Sequence, residues 1–144
     1  MKKYRHVLLA TDLVDDAGTV AKRAADMAEM LGADLSMIHV VEPLPGYGYA
    51  FIAPNEIENE LVIEAKKQLA KLGKKHGVPE DRQVVLVGPT KTEILECADD
   101  VKADLIIVGS HGRHGLGILL GSTANAVIQG AKCDVFTVRV GKKD

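Results

Sequence analysis

Five short apolar runs recur along this chain, and the stretches between them return a hydrophobic residue every three or four positions. The runs are His6 to Ala10, Asp34 to Val41, Gln83 to Val87, Asp104 to Val108 and Val135 to Val140. Such alternation marks βαβ units, because two parallel strands need a crossover long enough to hold a helix. Runs such as Leu105-Ile106-Ile107-Val108 are apolar at consecutive rather than alternate positions. Strands of that kind are buried on both faces, so helices are expected on both sides of one parallel sheet.

The intervening segments read as four helices. The first is capped by Asp15 or Asp16, turns Val20, Ala24, Met27 and Leu31 to one face, and stops at Gly32. A long second helix is expected from about Asn55 to His76, with Ile57, Leu61, Ala65, Leu69 and Leu72 in register, closed by Gly77 and Pro79. A short third helix follows the Gly88-Pro89 turn and carries Ile94, Ala98 and Val101; the last buries Ala124, Val127, Ile128 and Ala131. Met27 and Met30 read as core filler, and His39, inside a strand pattern, as a core histidine with a satisfied ring. The chain has 144 residues and no linker, so residues 1–144 read as a single domain.

Several partners and sites are excluded on composition and spacing. A net charge of −2 gives no field to grip a phosphate backbone, and 3% aromatic residues leave few stacking platforms, so no nucleic acid partner is expected. The opening MKKYRHVLLATDL is basic like a secretory leader, but its apolar stretch ends at Thr11-Asp12. No run approaches the ~18 apolar residues that span a bilayer, so no membrane insertion and a cytoplasmic location are expected. Cys97 and Cys133 lack the close spacing of zinc or redox motifs and read as plain buried small residues.

Ligands of doubly wound sheets bind outside the carboxyl ends of the strands, where the strand order reverses. A 3-2-1-4-5 order would set the first and fourth strands side by side and bring two segments together there. One is Ala10-Thr11-Asp12. The other, GSHGRHGLGILLGST from Gly109 to Thr123, places five glycines in fifteen residues. Gly109 and Gly112 let main-chain N–H groups approach an anion with no Cβ in the way. Gly121, Ser122 and Thr123 open the last helix, where unpaired N–H donors, hydroxyls and the positive dipole end favour phosphate. Arg113 adds a guanidinium fork, and His111 and His114 add donors. The segment is therefore a candidate phosphate cradle.

It is neither of two familiar ones. No lysine precedes Ser122, as a P-loop requires, and Leu120 stands where a dinucleotide fingerprint starting at Gly115-Leu116-Gly117 needs its third glycine. Asp12 has two readings, a magnesium ligand beside a bound nucleotide or a brace for its own loop. The His111-x-x-His114 spacing fixes no shared face in a glycine loop and lacks the further ligands of a zinc site. The stretch EPLPGYGYAFIAP holds Tyr47, Tyr49 and Phe51, three of the five aromatic residues in the chain. A lid over a ligand, a subunit contact and a simple anchor all fit it.

From VLLATD to VFTVRV the chain resembles the universal stress protein family. The nucleotide-binding branch of that family carries G-x2-G-x9-G-[ST] after its fourth strand, and Gly109, Gly112, Gly121 and Ser122 stand in the corresponding places. Eight residues rather than nine separate Gly112 from Gly121, with Gly115 and Gly117 inside the shorter connection. The resemblance implies a Rossmann-like α/β domain of the adenine nucleotide alpha hydrolase type. It implies a sheet of order 3-2-1-4-5 that binds ATP or AMP, with magnesium accompanying the nucleotide. Thr11 and Asp12 would lie beside ribose and phosphates, and Val40 or Val41 would offer backbone groups to adenine. It further implies a homodimer joined through Val135 to Val140 and a regulatory role in the stress response with little or no ATP hydrolysis. An unidentified protein partner would receive the signal. A nucleotide-independent stress interaction role, or slow ATP hydrolysis, is the alternative.

Overall fold

The computed structural model describes residues 3–14, 16–42, 54–110 and 121–140. Five strands and four helices alternate: β1 (His6–Ala10), α1 (Ala17–Leu31), β2 (Asp34–Val41), α2 (Pro54–His76), β3 (Gln83–Val87), α3 (Thr90–Asp100), β4 (Leu105–Gly109), α4 (Ser122–Gly130) and β5 (Asp134–Val138). A single 3-10 turn at Glu80–Arg82 leads into β3. All pairings are parallel, and the sheet order is β3-β2-β1-β4-β5. The expected doubly wound order is the one observed.

Period-two alternation along each central strand divides the core. Val7 and Leu9, Leu35 and Met37, and Leu105 and Ile107 face α1 and α2, where Val20, Ala21, Ala24, Ala28 and Leu69 cover them. Leu8, Ile38 and Val40, and Ile106 and Val108 face the opposite layer, under Ile94, Cys97 and Ala98 of α3 and Ala124 and Val127 of α4. Consecutive apolar residues are what a sheet covered on both faces demands. Alanine at three of the four buried positions of α1 keeps its contact face low, which suits a helix lying close on a sheet.

The amino ends of the strands are held by side chains. The Asp104 carboxylate, just before β4, accepts N–H bonds from Arg5 (2.9 Å) and His6 (3.1 Å), and its own N–H donates to the His6 carbonyl. The Asp34 N–H donates to the Arg5 carbonyl, and Arg82 pairs with the Asp34 carboxylate at 3.1 Å. Tyr4 donates to Asp134 at the start of β5 (2.6 Å), which holds its phenol above the usual tyrosine range.

Several expected details shift. Strand β4 runs one residue later, so Asp104 is a clamp rather than its first residue, and β5 begins at Asp134 and ends at Val138. Helix α2 starts at Pro54, and Val101 is the C-cap of α3. Asp16 takes the N-cap position of α1 but makes no capping bond with its side chain, while Gly32 ends that helix in the left-handed conformation as expected. Met30 is not core filler. It is 76% exposed, because the helical period turns it away from the face formed by Val20, Ala21, Ala24 and Ala28, whereas Met27 packs on the core. Leu61 and Ile128 are also exposed, each lying at the margin of its helix's buried face.

Candidate functional site

Strand β1 pairs with β2 on one side and β4 on the other, so the strand order reverses between β1 and β4. The register Leu9↔Ile107 sets Ala10 and Thr11 alongside Val108 and Gly109 at the carboxyl edge. From there the chain leaves β1 for α1 on one face and β4 for α4 on the other. Two connections that part in this way leave a crevice between them. Ala10, Thr11, Asp12, Gly109, Gly121, Ser122 and Thr123 thus all lie at one end of the sheet. Val40 and Val41 end the adjacent β2 at the same edge.

Thr11 is held on three sides. Its N–H donates to the Ile38 carbonyl (2.9 Å), and its hydroxyl oxygen accepts the Leu13 N–H (3.1 Å). Its carbonyl lies 2.8 Å from His39 Nδ1. A carbonyl only accepts, so His39 carries its proton on Nδ1. The expected satisfied histidine is therefore observed, and its partner is the main chain of a site residue. Asp12 Oδ1 accepts the Val14 N–H at 3.1 Å across Leu13, whose φ is 60°. That is the loop brace, and it uses one lone pair of one oxygen, so the carboxylate retains acceptor capacity for a cation. The Val41 carbonyl accepts the Gly88 N–H (3.0 Å) and keeps its second lone pair.

Ser110, unremarked in the sequence, ties the second segment together. Its N–H donates to Val138 (2.8 Å), its hydroxyl donates to the Val140 carbonyl (3.2 Å), and the Val140 N–H donates back to the hydroxyl (2.9 Å). Its carbonyl accepts the Gly121 N–H at 2.6 Å, so the residues entering and leaving the 111–120 segment are bonded to each other. His111, Gly112, Arg113 and His114 lie outside the described residues, as do Tyr47, Tyr49 and Phe51.

Gly121 is the N-cap of α4, with φ −62° and ψ 154°, a conformation open to any residue. What glycine contributes here is the missing Cβ. It has no side chain to satisfy the first-turn donors, and the first helical bond runs from Asn125 N–H to the Gly121 carbonyl. The N–H groups of Ser122, Thr123 and Ala124 therefore have no carbonyl partner within the helix. An anion is the natural complement of such a helix end.

Other chemistry is sparse. Among the described residues no three His, Cys, Asp or Glu side chains gather as a metal site. Cys97 is buried, and burial with the nearby Asp100 pushes its thiol up to about 11, so it is a packing residue rather than a nucleophile. Among the described residues one cavity of about 220 Å³ lies between Leu13, Ala17, Gln68, Lys71, Leu72 and Lys75, and another of about 250 Å³ lies between the ends of α3 and α4 beside Cys133. No helix of the described residues is long and apolar enough to cross a membrane.

The sheet order defines a doubly wound α/β protein whose switch point lies between β1 and β4. The chain belongs to the universal stress protein family, whose model matches residues 3–139. It is 43% identical to universal stress protein A homolog 2 of Coxiella burnetii over 97% of this chain and 98% of that one. Universal stress protein MJ0531 of Methanocaldococcus jannaschii is 36% identical over 98% of this chain and 85% of its own length. Among solved structures, hypothetical protein MJ0577 superimposes with a TM-score of 0.82 at 27% identity, covering 99% of this chain and 100% of that one. A universal stress protein in complex with cAMP superimposes with a TM-score of 0.62 at 28% identity, covering 96% and 98%.

Proposed function

We propose that the chain is a regulatory protein that binds an adenine nucleotide, ATP or AMP, in the crevice between β1 and β4 and responds to its occupancy. The observation that carries this reading is the start of α4 at the carboxyl end of the sheet, where Gly121 offers no side-chain cap to the first-turn N–H groups. The cAMP complex of a relative in the same family supports it. Phosphates would rest on Gly109, Gly121, Ser122 and Thr123, and Gly112, Arg113 and His111 are assigned as further donors to them. Thr11 and Asp12 stand beside the ribose and phosphates, and adenine meets the main chain of Val40 and Val41.

Magnesium fits as a companion of the nucleotide, since one carboxylate with phosphate oxygens and waters suffices for that ion. Asp12 would hold it through the oxygen that Val14 does not use. Bound there, the ion would offset phosphate charge. The response is a population shift between ligand-favoured and ligand-free arrangements, read out by a homodimer and an unidentified protein partner in the cytoplasm. The dimer forms through β5, an edge strand whose Val135 and Phe136 are only half-buried in the single chain.

Calorimetric titration of nucleotide-free protein with ATP and magnesium, AMP and adenosine tests the reading. ATP is expected to bind saturably and more tightly than adenosine. Gly121→Val should weaken ATP by at least about tenfold while the fold is kept, and Arg113→Ala should weaken ATP more than adenosine. Equal affinity for ATP and adenosine, or ATP affinity unchanged by Gly121→Val, would sink the cradle and favour a nucleotide-independent interaction protein.

A further inference from the structure

The outward face of α2 divides its charge by sign. Glu56, Glu60, Ile63, Lys67, Lys71 and Lys74 follow one another at spacings of three or four, and all are exposed, Ile63 by 55%. They form a stripe opposite the buried Ala65 and Leu69. The acids occupy the amino half, the lysines the carboxyl half, and an isoleucine sits between them.

The helix dipole does not account for this arrangement. Its influence falls off within the first and last turns, yet Glu60 and Lys67 lie well inside a helix of 23 residues. The order is unfavourable within the single helix as well. Glu56 and Glu60 stand at i,i+4, as do Lys67 and Lys71, so like charges are neighbours along one face.

A second copy of the same helix laid antiparallel removes the conflict. A two-fold axis passing beside Ile63 sets Glu60 against Lys67 and Glu56 against Lys71 of the other copy, and each pair recurs by symmetry. The two Ile63 side chains then meet at the axis. Self-complementarity of this kind is what an isologous contact requires. We propose that the exposed α2 face is a weak, salt-sensitive pairing surface for a second copy of this chain.

The paired stretch from Glu56 to Lys71 is about 22 Å long and polar apart from its centre, which fits a transient association. It uses neither the nucleotide crevice nor the β5 edge, so it stands or falls independently of the proposed function. If β5 also pairs, the two contacts build an assembly larger than a dimer.

A charge-exchange experiment on the full chain tests it, with sedimentation equilibrium at low and high salt as the readout. Wild type should show an association step that weakens with salt. One variant, Glu56→Lys with Glu60→Lys, makes the stripe wholly basic; another, Lys67→Glu with Lys71→Glu and Lys74→Glu, makes it wholly acidic. Each alone should lose that step by at least about tenfold, and an equimolar mixture should recover it, because every facing pair is again of opposite sign. Ile63→Arg should weaken wild-type association and leave the monomer folded. A wild type without a salt-sensitive step, single-sign variants that associate like wild type, or a mixture that stays apart would each overturn the proposal.

Discussion

Replacing Ser110 with alanine removes one oxygen atom, and the structure sets what that should cost. The hydroxyl accepts the Val140 N–H at 2.9 Å and donates to the Val140 carbonyl at 3.2 Å, with Ser110 only 7% and Val140 only 6% exposed. Alanine leaves both groups of Val140 buried without that partner, and an unsatisfied buried polar group costs roughly 1–3 kcal/mol. The carbonyl bond is the longer of the two and the carbonyl tolerates its loss better, so the sum is about 2–3 kcal/mol. Unfolding entropy of about 0.3 kcal/mol per degree is typical of a chain this size, so the melting temperature should fall by roughly 7–10 °C. Main-chain bonds from Ser110 to Val138 and from Gly121 to Ser110 do not involve the side chain and should survive. Nucleotide affinity measured below the transition should therefore change by less than about threefold. Thermal unfolding followed by circular dichroism, with titration in parallel, reads both quantities. A melting temperature within a degree of wild type would refute the assignment of Ser110 as the clasp of this loop.

Three further outcomes follow from other parts of the molecule. Gly73→Ala in α2 should destabilise by about 1–2 kcal/mol in urea unfolding although alanine is the better helix former, because its Cβ would strike Gln83 and lie 2.8 Å from the Val78 carbonyl; a stabilised variant would show that this corner yields. Burial lowers the His76 pKa, its Nε2 has no hydrogen-bond partner among the described residues, and Lys75 and Lys22 oppose protonation while Asp26 favours it. Its folded pKa lies below its unfolded value, so its contribution is full above about pH 6.5 and is lost as pH falls below that. His76→Gln should consequently flatten the fall in melting temperature between neutral and mildly acidic pH, and an unchanged slope would remove His76 from the acid response. Native Cys97 should react with a thiol reagent only after denaturant is added, because it is buried and its thiol is pushed up to about 11; prompt labelling in native buffer would contradict that.

What was readable in the linear chain was whatever rests on local pattern. Strand runs stood out because both faces are covered, and Gly32 and Gly77 ended their helices where a left-handed residue was needed, with φ of 66° and 76°. The convergence of Thr11-Asp12 with the glycine segment followed from the strand order alone. Long-range pairings were not readable. Ser110 meets Val140 thirty residues later, and His39 meets the carbonyl of Thr11 twenty-eight residues earlier, so no window of sequence contains either pair. Met30 was read as filler from its residue type, although the helical period turns it away from the face that Val20, Ala24 and Ala28 bury. The two readings of Asp12 were separated in part, since its bond to Val14 makes it a loop brace whatever else it holds.

The clasp of backbone bonds around Asp104 lies at the opposite edge of the sheet from Thr11 and Gly121. Alignment of β1 with β4 is thus set at one end of the strands, and the proposed nucleotide crevice lies at the other. Over evolutionary time this separation lets the carboxyl-edge loops change length or chemistry without disturbing the register that aims them. A one-residue shortening between Gly112 and Gly121 is a change of the sort such an arrangement absorbs, leaving selection free to retune what the crevice accepts while the scaffold beneath it stays as it was.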